Sequence, residues 1–235
     1  MTQETTSKLK TAVVFVATII FGFLFFAVPN LFFGIFKIND GLIGTNLAII
    51  GISQFVMVTS LIYFSLKYLK KDMTYIGLNF NHWKRDLSNG LGVTLVRVVV
   101  DFGFIIPNTG GANRADVLEV INSLDGTTTG LISLLILGVV GGGITEEIYN
   151  RGFFINIMKD LFKNETVGLW ISSVLSILFF SVGHLPSSNL LWYDILVASI
   201  IYTSLFLYTG RLTAPMIAHA AWNSTAILLI NYWYF

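Results

Sequence analysis

The chain has 235 residues, of which 54% are hydrophobic and only 11% are charged. Soluble domains carry about 25% charged residues, so this composition predicts an integral membrane protein and argues against a soluble enzyme. The formal net charge of +1 comes without a basic tract, which argues against a nucleic-acid partner. Cysteine is absent, and this excludes disulfides, thiolate metal sites and cysteine nucleophiles.

Seven apolar stretches are long enough to cross a bilayer, because a spanning helix needs about 20 apolar residues. They cover residues 11–36, 42–66, 87–106, 129–162, 167–183, 190–208 and 213–235. We therefore predict an all-α fold, a polytopic transmembrane helix bundle of about seven spans, with eight as the alternative. It should form one integral-membrane domain over residues 1–235. The first stretch exceeds the short apolar core of a signal peptide, so we expect a retained helix.

Lysine and arginine are concentrated on alternate connections between these stretches, and this bias sets the orientation of a membrane protein. If the N-terminus is cytoplasmic, the outside connections hold only Lys37 and Arg114. The inside segments then hold Lys8, Lys10, Lys67, Lys70, Lys71, Lys84, Arg85, Lys159, Lys163 and Arg211. We therefore predict a multi-pass protein of the cell membrane with a cytoplasmic N-terminus. Residues 67–86 should lie on the cytoplasmic surface, and residues 107–128 should form a polar external loop.

The fourth apolar stretch contains three charges within residues 141–154, which read GGGITEEIYNRGFF. Each charge at the centre of a membrane helix costs about 2.5–3.5 kcal/mol on insertion scales, so such groups are first candidates for function. Glu147 and Arg151 are four residues apart and share a helix face, which predicts an ion pair. Glu146 points away from that face, towards a cavity. The three glycines at 141–143 predict a close helix approach or a break.

Two of the three histidines lie within the apolar stretches. His184 ends the fifth stretch, and His219 lies in the seventh with Asn223 four residues later on the same face. Taken singly, each is explained by a hydrogen bond to a neighbouring helix. Together with Glu146 they form a sufficient set for hydrolysis, namely a base, a group that binds water and donors for an oxyanion. His82 lies in a basic connection and is better explained as an interfacial residue.

The order of these residues resembles the three-motif signature of the CPBP family, which includes CAAX prenyl proteases and bacteriocin-processing (Abi) intramembrane enzymes. The motifs are Glu146-Glu147-x-x-x-Arg151, Phe180-x-x-x-His184 and His219-x-x-x-Asn223, each on a successive apolar stretch. They occupy roughly the C-terminal third of the chain, and residues 129–235 would form the catalytic helices. In the resemblance, Glu147 and Arg151 would be structural or would assist substrate placement.

The resemblance implies an intramembrane endopeptidase, of the metallo- or glutamate type, whose site opens towards the cytoplasm. Glu146 would be the general base that activates water, and His184 would help to hold that water. His219 and Asn223 would stabilise the oxyanion of the tetrahedral intermediate. The implied partners are the lipid bilayer and a peptide or protein substrate in or at the membrane.

A metal is an open question at the level of sequence. Glu146, His184 and His219 make up a His₂Glu set, which is a known catalytic zinc shell. The zinc-helix pattern His-Glu-x-x-His is missing, however. Zinc bound by these three residues and a metal-free glutamate mechanism with no cofactor are therefore both retained.

Two other functions compete with proteolysis. A non-catalytic membrane immunity factor, for instance one that gives self-immunity to a bacteriocin, would retain the fold without the chemistry. A transporter would also place charges inside the membrane, but we find no half-to-half repeat. Asp101 does not indicate a further site, because Arg97 four residues earlier predicts a structural ion pair.

Overall fold

The computed structural model describes residues 3–235, with the side chains of residues 7–39 and 41–235. This part of the chain contains eight α-helices, two three-residue 3₁₀ helices (Ile38–Asp40 and Gly111–Asn113) and no strand. The helices are α1 (Gln3–Phe36), α2 (Thr45–Tyr68), α3 (Trp83–Asn108), α4 (Ala115–Ser123), α5 (Thr128–Lys159), α6 (Glu165–Gly183), α7 (Asn189–Thr209) and α8 (Thr213–Tyr234). The predicted all-α fold is confirmed.

Six of these helices within residues 3–235 are long and apolar enough to cross a membrane: α1, α2, α3, α5, α6 and α7. The seventh predicted span is α8, which has 22 residues but carries more polar side chains. The number of spans is therefore close to the prediction. The protein is a multi-pass membrane protein, and α8 packs among the spanning helices.

The connections that hold most of the lysines and arginines lie together at one end of the bundle, which we call the basic end. It comprises the start of α1 and the connections at residues 69–82, 160–164 and 210–212. Lys10 Nζ donates to the Tyr68 carbonyl oxygen at 2.9 Å, and Lys71 pairs with Asp160 at 3.1 Å. These contacts show that alternate connections meet on one side, as an up-and-down bundle requires.

The opposite end of the bundle, which we call the far end, holds the remaining connections. It comprises residues 37–44, 109–127 and 184–188 and the C-terminal end of α8. Arg114 Nη2 pairs with Asp194 Oδ2 at the start of α7 at 3.3 Å. The Asp125 carboxylate lies beside Gly44, where an added Cβ would be 3.2 Å from Oδ2.

Two connections are more ordered than their composition indicates. Phe80 of the basic connection and Trp83 at the start of α3 are exposed, but Ile76 is fully buried in the main core. The connection therefore also closes this end of the bundle. The expected external loop contains the helix α4, whose Val117 is fully buried against α3 and α8. Each segment is therefore anchored by apolar side chains, of which Ile76 and Val117 are the most deeply buried.

The glycines of α5 provide close approach and do not break the helix. The backbone is π-helical over Leu137–Glu146 and Ile148–Ile155, a geometry that is rare and is often found at functional sites. A Cβ on Gly143 would lie 2.6 Å from Ala220 Cα of α8. The glycine therefore lets α5 and α8 touch backbone to backbone, and this contact sets where α8 holds its polar side chains.

We expect Gly143→Ala to destabilise the protein, because its added methyl group meets backbone and not a flexible side chain. Overpacking of this kind costs roughly 1–3 kcal/mol. Gly92→Ala is the matched control, since nothing lies within 4 Å of its added Cβ on α3. The measurement is thermal unfolding in detergent, and equal midpoints for the two variants would contradict the proposed packing.

Candidate active site

A fully buried ion pair joins two residues of α5. Arg151 Nη1 donates to Glu147 Oε1 at 3.1 Å, and neither side chain is exposed. Arg151 Nη2 also donates to Ser199 Oγ of α7 at 2.9 Å. The guanidinium lies 4.2 Å from the centre of the Phe180 ring of α6, a cation–π distance. The pair predicted from the four-residue spacing is present, and it ties α5 to α6 and α7.

His219 of α8 contacts the same carboxylate. Its Nδ1 is 2.9 Å from Glu147 Oε1, the oxygen that Arg151 also contacts. The imidazole stacks on the Tyr202 ring of α7, with ring centres 4.6 Å apart. A carboxylate paired with a guanidinium accepts hydrogen bonds, so Nδ1 carries a proton and Nε2 is left for other partners.

Glu146 lies beside Glu147 in the chain but in a different environment. Its carboxylate is 22% exposed and faces α6, where His184 Nε2 is 3.8 Å from Oε2. Among the described residues this Oε2 is buried without a hydrogen-bond partner, which calls for an explanation in a folded protein. His184 Nδ1 donates to the Phe180 carbonyl oxygen at 2.8 Å, so in the neutral ring Nε2 is an acceptor.

Asn223 faces the glycine segment of α5. Its Nδ2 donates to the Gly138 carbonyl oxygen at 2.8 Å. A Cβ built on Gly142 would lie 2.7 Å from Asn223 Nδ2 and 3.9 Å from His219 Nε2. The amide and the imidazole therefore both lie next to the Gly142 backbone, and the absence of a side chain at Gly142 lets the Asn223 amide approach it closely.

Two neighbouring cavities connect these side chains. A cavity of about 420 Å³ is lined by Glu146, His184 and Asn223. A second cavity of about 650 Å³ is lined by His184, His219 and Asn223. Because His184 and Asn223 line both, the four side chains face adjoining spaces, with Glu146 on one side and His219 on the other.

Residues 128–225 match the family model described as Rce1-like, type II CAAX prenyl endopeptidase. This match confirms the resemblance to the CPBP family. The matched segment contains all the motif residues from Glu146 to Asn223, and the first 127 residues lie outside it. No curated protein and no solved structure matches the chain. The CPBP match supports a CAAX-type protease in the membrane, and hence a hydrolase.

The CPBP motif residues are not arranged as a three-ligand metal site. Among the side chains that the structure describes (residues 7–39 and 41–235), no group of three His, Asp or Glu residues is close enough to hold a metal ion. His219 Nδ1 is held by Glu147, and His219 and Glu146 line different cavities. The His₂Glu zinc shell considered from the sequence does not fit this geometry, and we derive no step through a metal.

Some polar residues of the site are not apparent from the CPBP motifs. Ser199 and Thr203 contact Arg151 from α7, and their four-residue spacing on an apolar helix is the signal that would find them. Asn150 donates from Nδ2 to the Glu146 carbonyl oxygen at 3.0 Å. Its buried Oδ1 has no partner among the described residues, and no local pattern marks this residue in the sequence.

We expect Arg151→Met to destabilise the fold strongly, because it leaves Glu147 buried and uncompensated. Breaking a buried pair from one side costs about 3–5 kcal/mol. Lys159→Met is the matched control, since Lys159 pairs with the exposed Glu165 and exposed pairs contribute about 0–1 kcal/mol.

Adding Glu147→Gln to Arg151→Met should recover part of the lost stability, as measured by unfolding midpoints of the purified variants. Strictly additive losses would contradict a direct coupling between Glu147 and Arg151.

Proposed function

We propose that the protein is an intramembrane endopeptidase that hydrolyses a peptide bond with a water molecule activated by Glu146. The observation that carries this proposal is the unpaired Oε2 of Glu146 beside His184 Nε2, in a cavity also lined by Asn223. The family match adds independent support, because it covers the segment that holds these residues.

Glu146 and His184 present two acceptors to the same small space. A water molecule there donates one hydrogen to Oε2 and the other to Nε2, and its lone pairs then face an incoming carbonyl carbon. Glu146 takes the proton as the water oxygen bonds to that carbon, so a tetrahedral intermediate with a negative oxygen forms. Glu146 next delivers the proton to the amide nitrogen, the C–N bond breaks, and the products are a carboxylic acid and an amine.

His219 and Asn223 are the proposed oxyanion donors. Asn223 Nδ2 turns from the Gly138 carbonyl oxygen to the substrate oxygen, and His219 donates from Nε2 in its protonated form. Glu147 stabilises the positive charge of that form from Nδ1, so it positions His219 and does not touch substrate. Donors fixed in a water-poor site stabilise a developing charge strongly, because they need no reorganisation during the reaction.

The protein as a whole is proposed to be a single domain in the cell membrane, with residues 129–235 forming the catalytic helices. The proposed substrate is a peptide or protein segment in or at the bilayer. The walls of the smaller cavity include Phe23, Phe26 and Phe179, which suits an apolar segment.

We expect Glu146→Gln to abolish proteolysis while the protein folds normally, because the amide cannot accept the proton of water. Glu165→Gln is the matched control, since this carboxylate is 81% exposed at the basic end.

Asn223→Ala should lower kcat by about 10²–10³, the usual loss of one oxyanion donor. The measurement is the rate of new N-terminus formation, by mass spectrometry of membrane peptides from cells with and without each variant.

Cleavage by Glu146→Gln at the rate of the unsubstituted protein would contradict the proposal. If cells that express Glu146→Gln were also still protected against a bacteriocin, a non-catalytic immunity function would replace the proposed protease function.

We further expect purified, active protein to retain its proteolytic rate after treatment with a chelator, because its donors do not form a three-ligand shell. The test pairs elemental analysis of the purified protein with activity before and after chelation. One zinc per chain, with activity that is lost on chelation and restored by zinc, would contradict the metal-free mechanism.

A further inference from the structure

Both cavities of the candidate site lie towards the far end of the bundle. The larger one is lined by Arg114 and Asp116 of the 109–127 connection and by Leu185, Pro186 and Ser187 after α6. Two ion pairs stiffen its walls, Arg97–Asp101 at 3.2 Å, as predicted from the sequence, and Arg114–Asp194. The walls of the entrance are therefore built from far-end segments.

The basic end is closed beneath the site. All eight residues of Ile148–Ile155, which follow the two glutamates towards the basic end, are buried. Tyr149 and Asn150 line the bottom of the smaller cavity, and the five residues after them line neither cavity. Ile76 and Leu212 are fully buried below them, and the Leu212 amide donates to the Gly77 carbonyl oxygen at 2.8 Å. A Cβ on Gly152 would be 2.9 Å from Leu212 Cδ1, so this plug is tightly packed. None of the residues that line either cavity belongs to the connections of the basic end.

The distribution of charge assigns the two ends to the two sides of the membrane. Among the positive residues of the connections, only Lys37 and Arg114 lie at the far end, and Arg114 is neutralised by Asp116 at 2.7 Å. Cytoplasmic segments carry the excess of lysine and arginine, so the basic end is the cytoplasmic one.

We propose that the active site is loaded from the non-cytoplasmic side of the membrane. This inference rests on the proposed function and specifies its substrate class: a membrane-associated peptide or protein segment outside the cytoplasm. It departs from the cytoplasmic opening that the CPBP resemblance implies. A lipidated C-terminus held on the cytoplasmic leaflet would meet the plug of buried side chains and not the cavity.

The smaller cavity gives this substrate a route along the membrane. Its walls combine Phe23, Phe26 and Asn30 in the second half of α1 with Phe179 and Gly183 near the far end of α6. A Cβ on Gly183 would have no atom within 4 Å, so no described side chain covers α6 at this point. An apolar segment in the outer part of the bilayer therefore passes between α1 and α6 to reach Glu146.

The test uses the absence of cysteine from the chain. Single cysteines are introduced at Asn81 (basic end, exposed), Asn122 (far end, exposed) and Ala226 (wall of the larger cavity). Intact cells that express each variant are treated with a small membrane-impermeant maleimide, before and after permeabilisation. We expect Asn122→Cys and Ala226→Cys to label in intact cells, and Asn81→Cys to label at least tenfold more after permeabilisation.

Labelling of Asn81→Cys but not Asn122→Cys in intact cells would overturn the proposal, as would labelling of neither. Labelling of Asn122→Cys without Ala226→Cys would also overturn it, because the cavity would then be closed at the far end. A repeat with Glu146→Gln in each variant should leave the pattern unchanged, since labelling does not need catalysis. The expected pattern in a protein that cleaves nothing would support this entrance while contradicting the proposed proteolysis.

Discussion

The buried contact of Arg151 and His219 with one oxygen of Glu147 holds the site together. It joins α5 to α8 directly and, through Ser199 and Phe180, to α7 and α6. A lone charge among these buried side chains would be highly unfavourable, so Glu147 and Arg151 each require a charged partner. These contacts therefore fix how the four helices pack against one another. The cavities lie between the helices, where side chains do not fill the space.

The two adjacent glutamates illustrate how environment separates the roles of identical side chains. Glu147 is fully buried and held by a guanidinium and an imidazole, so it is an electrostatic anchor. Glu146 reaches a cavity, where one of its oxygens has no partner among the described side chains. A carboxylate oxygen that accepts no hydrogen bond in the folded protein can accept one from a water molecule. Glu147 Oε2 also has no partner among the described side chains, but of the two glutamates only Glu146 lines a cavity. The proposed base is thus the glutamate whose unpartnered oxygen is in a cavity that can hold water.

Helical periodicity predicted the features that depend on residues within a single helix. The spans, the Glu147–Arg151 pair and the common face of His219 and Asn223 follow from spacing along one helix. The contact between Glu147 and His219 joins residues 72 positions apart, and no local pattern contains it. The cytoplasmic opening was expected from the CPBP resemblance alone, and no local pattern specifies on which side the site opens. Whether the cavity opens at the basic or the far end depends on how Ile76 and Leu212 pack across separate connections.

The most direct test of the central claim is an experimental structure of Glu146→Gln bound to a substrate peptide in a membrane mimetic. We expect the scissile carbonyl oxygen to lie beside Gly142, within hydrogen-bond distance of His219 Nε2 and Asn223 Nδ2. A water molecule should lie between residue 146 and His184, on the opposite side of the carbonyl carbon. A peptide bound elsewhere, or His219 turned away from Glu147 towards lipid, would contradict the account.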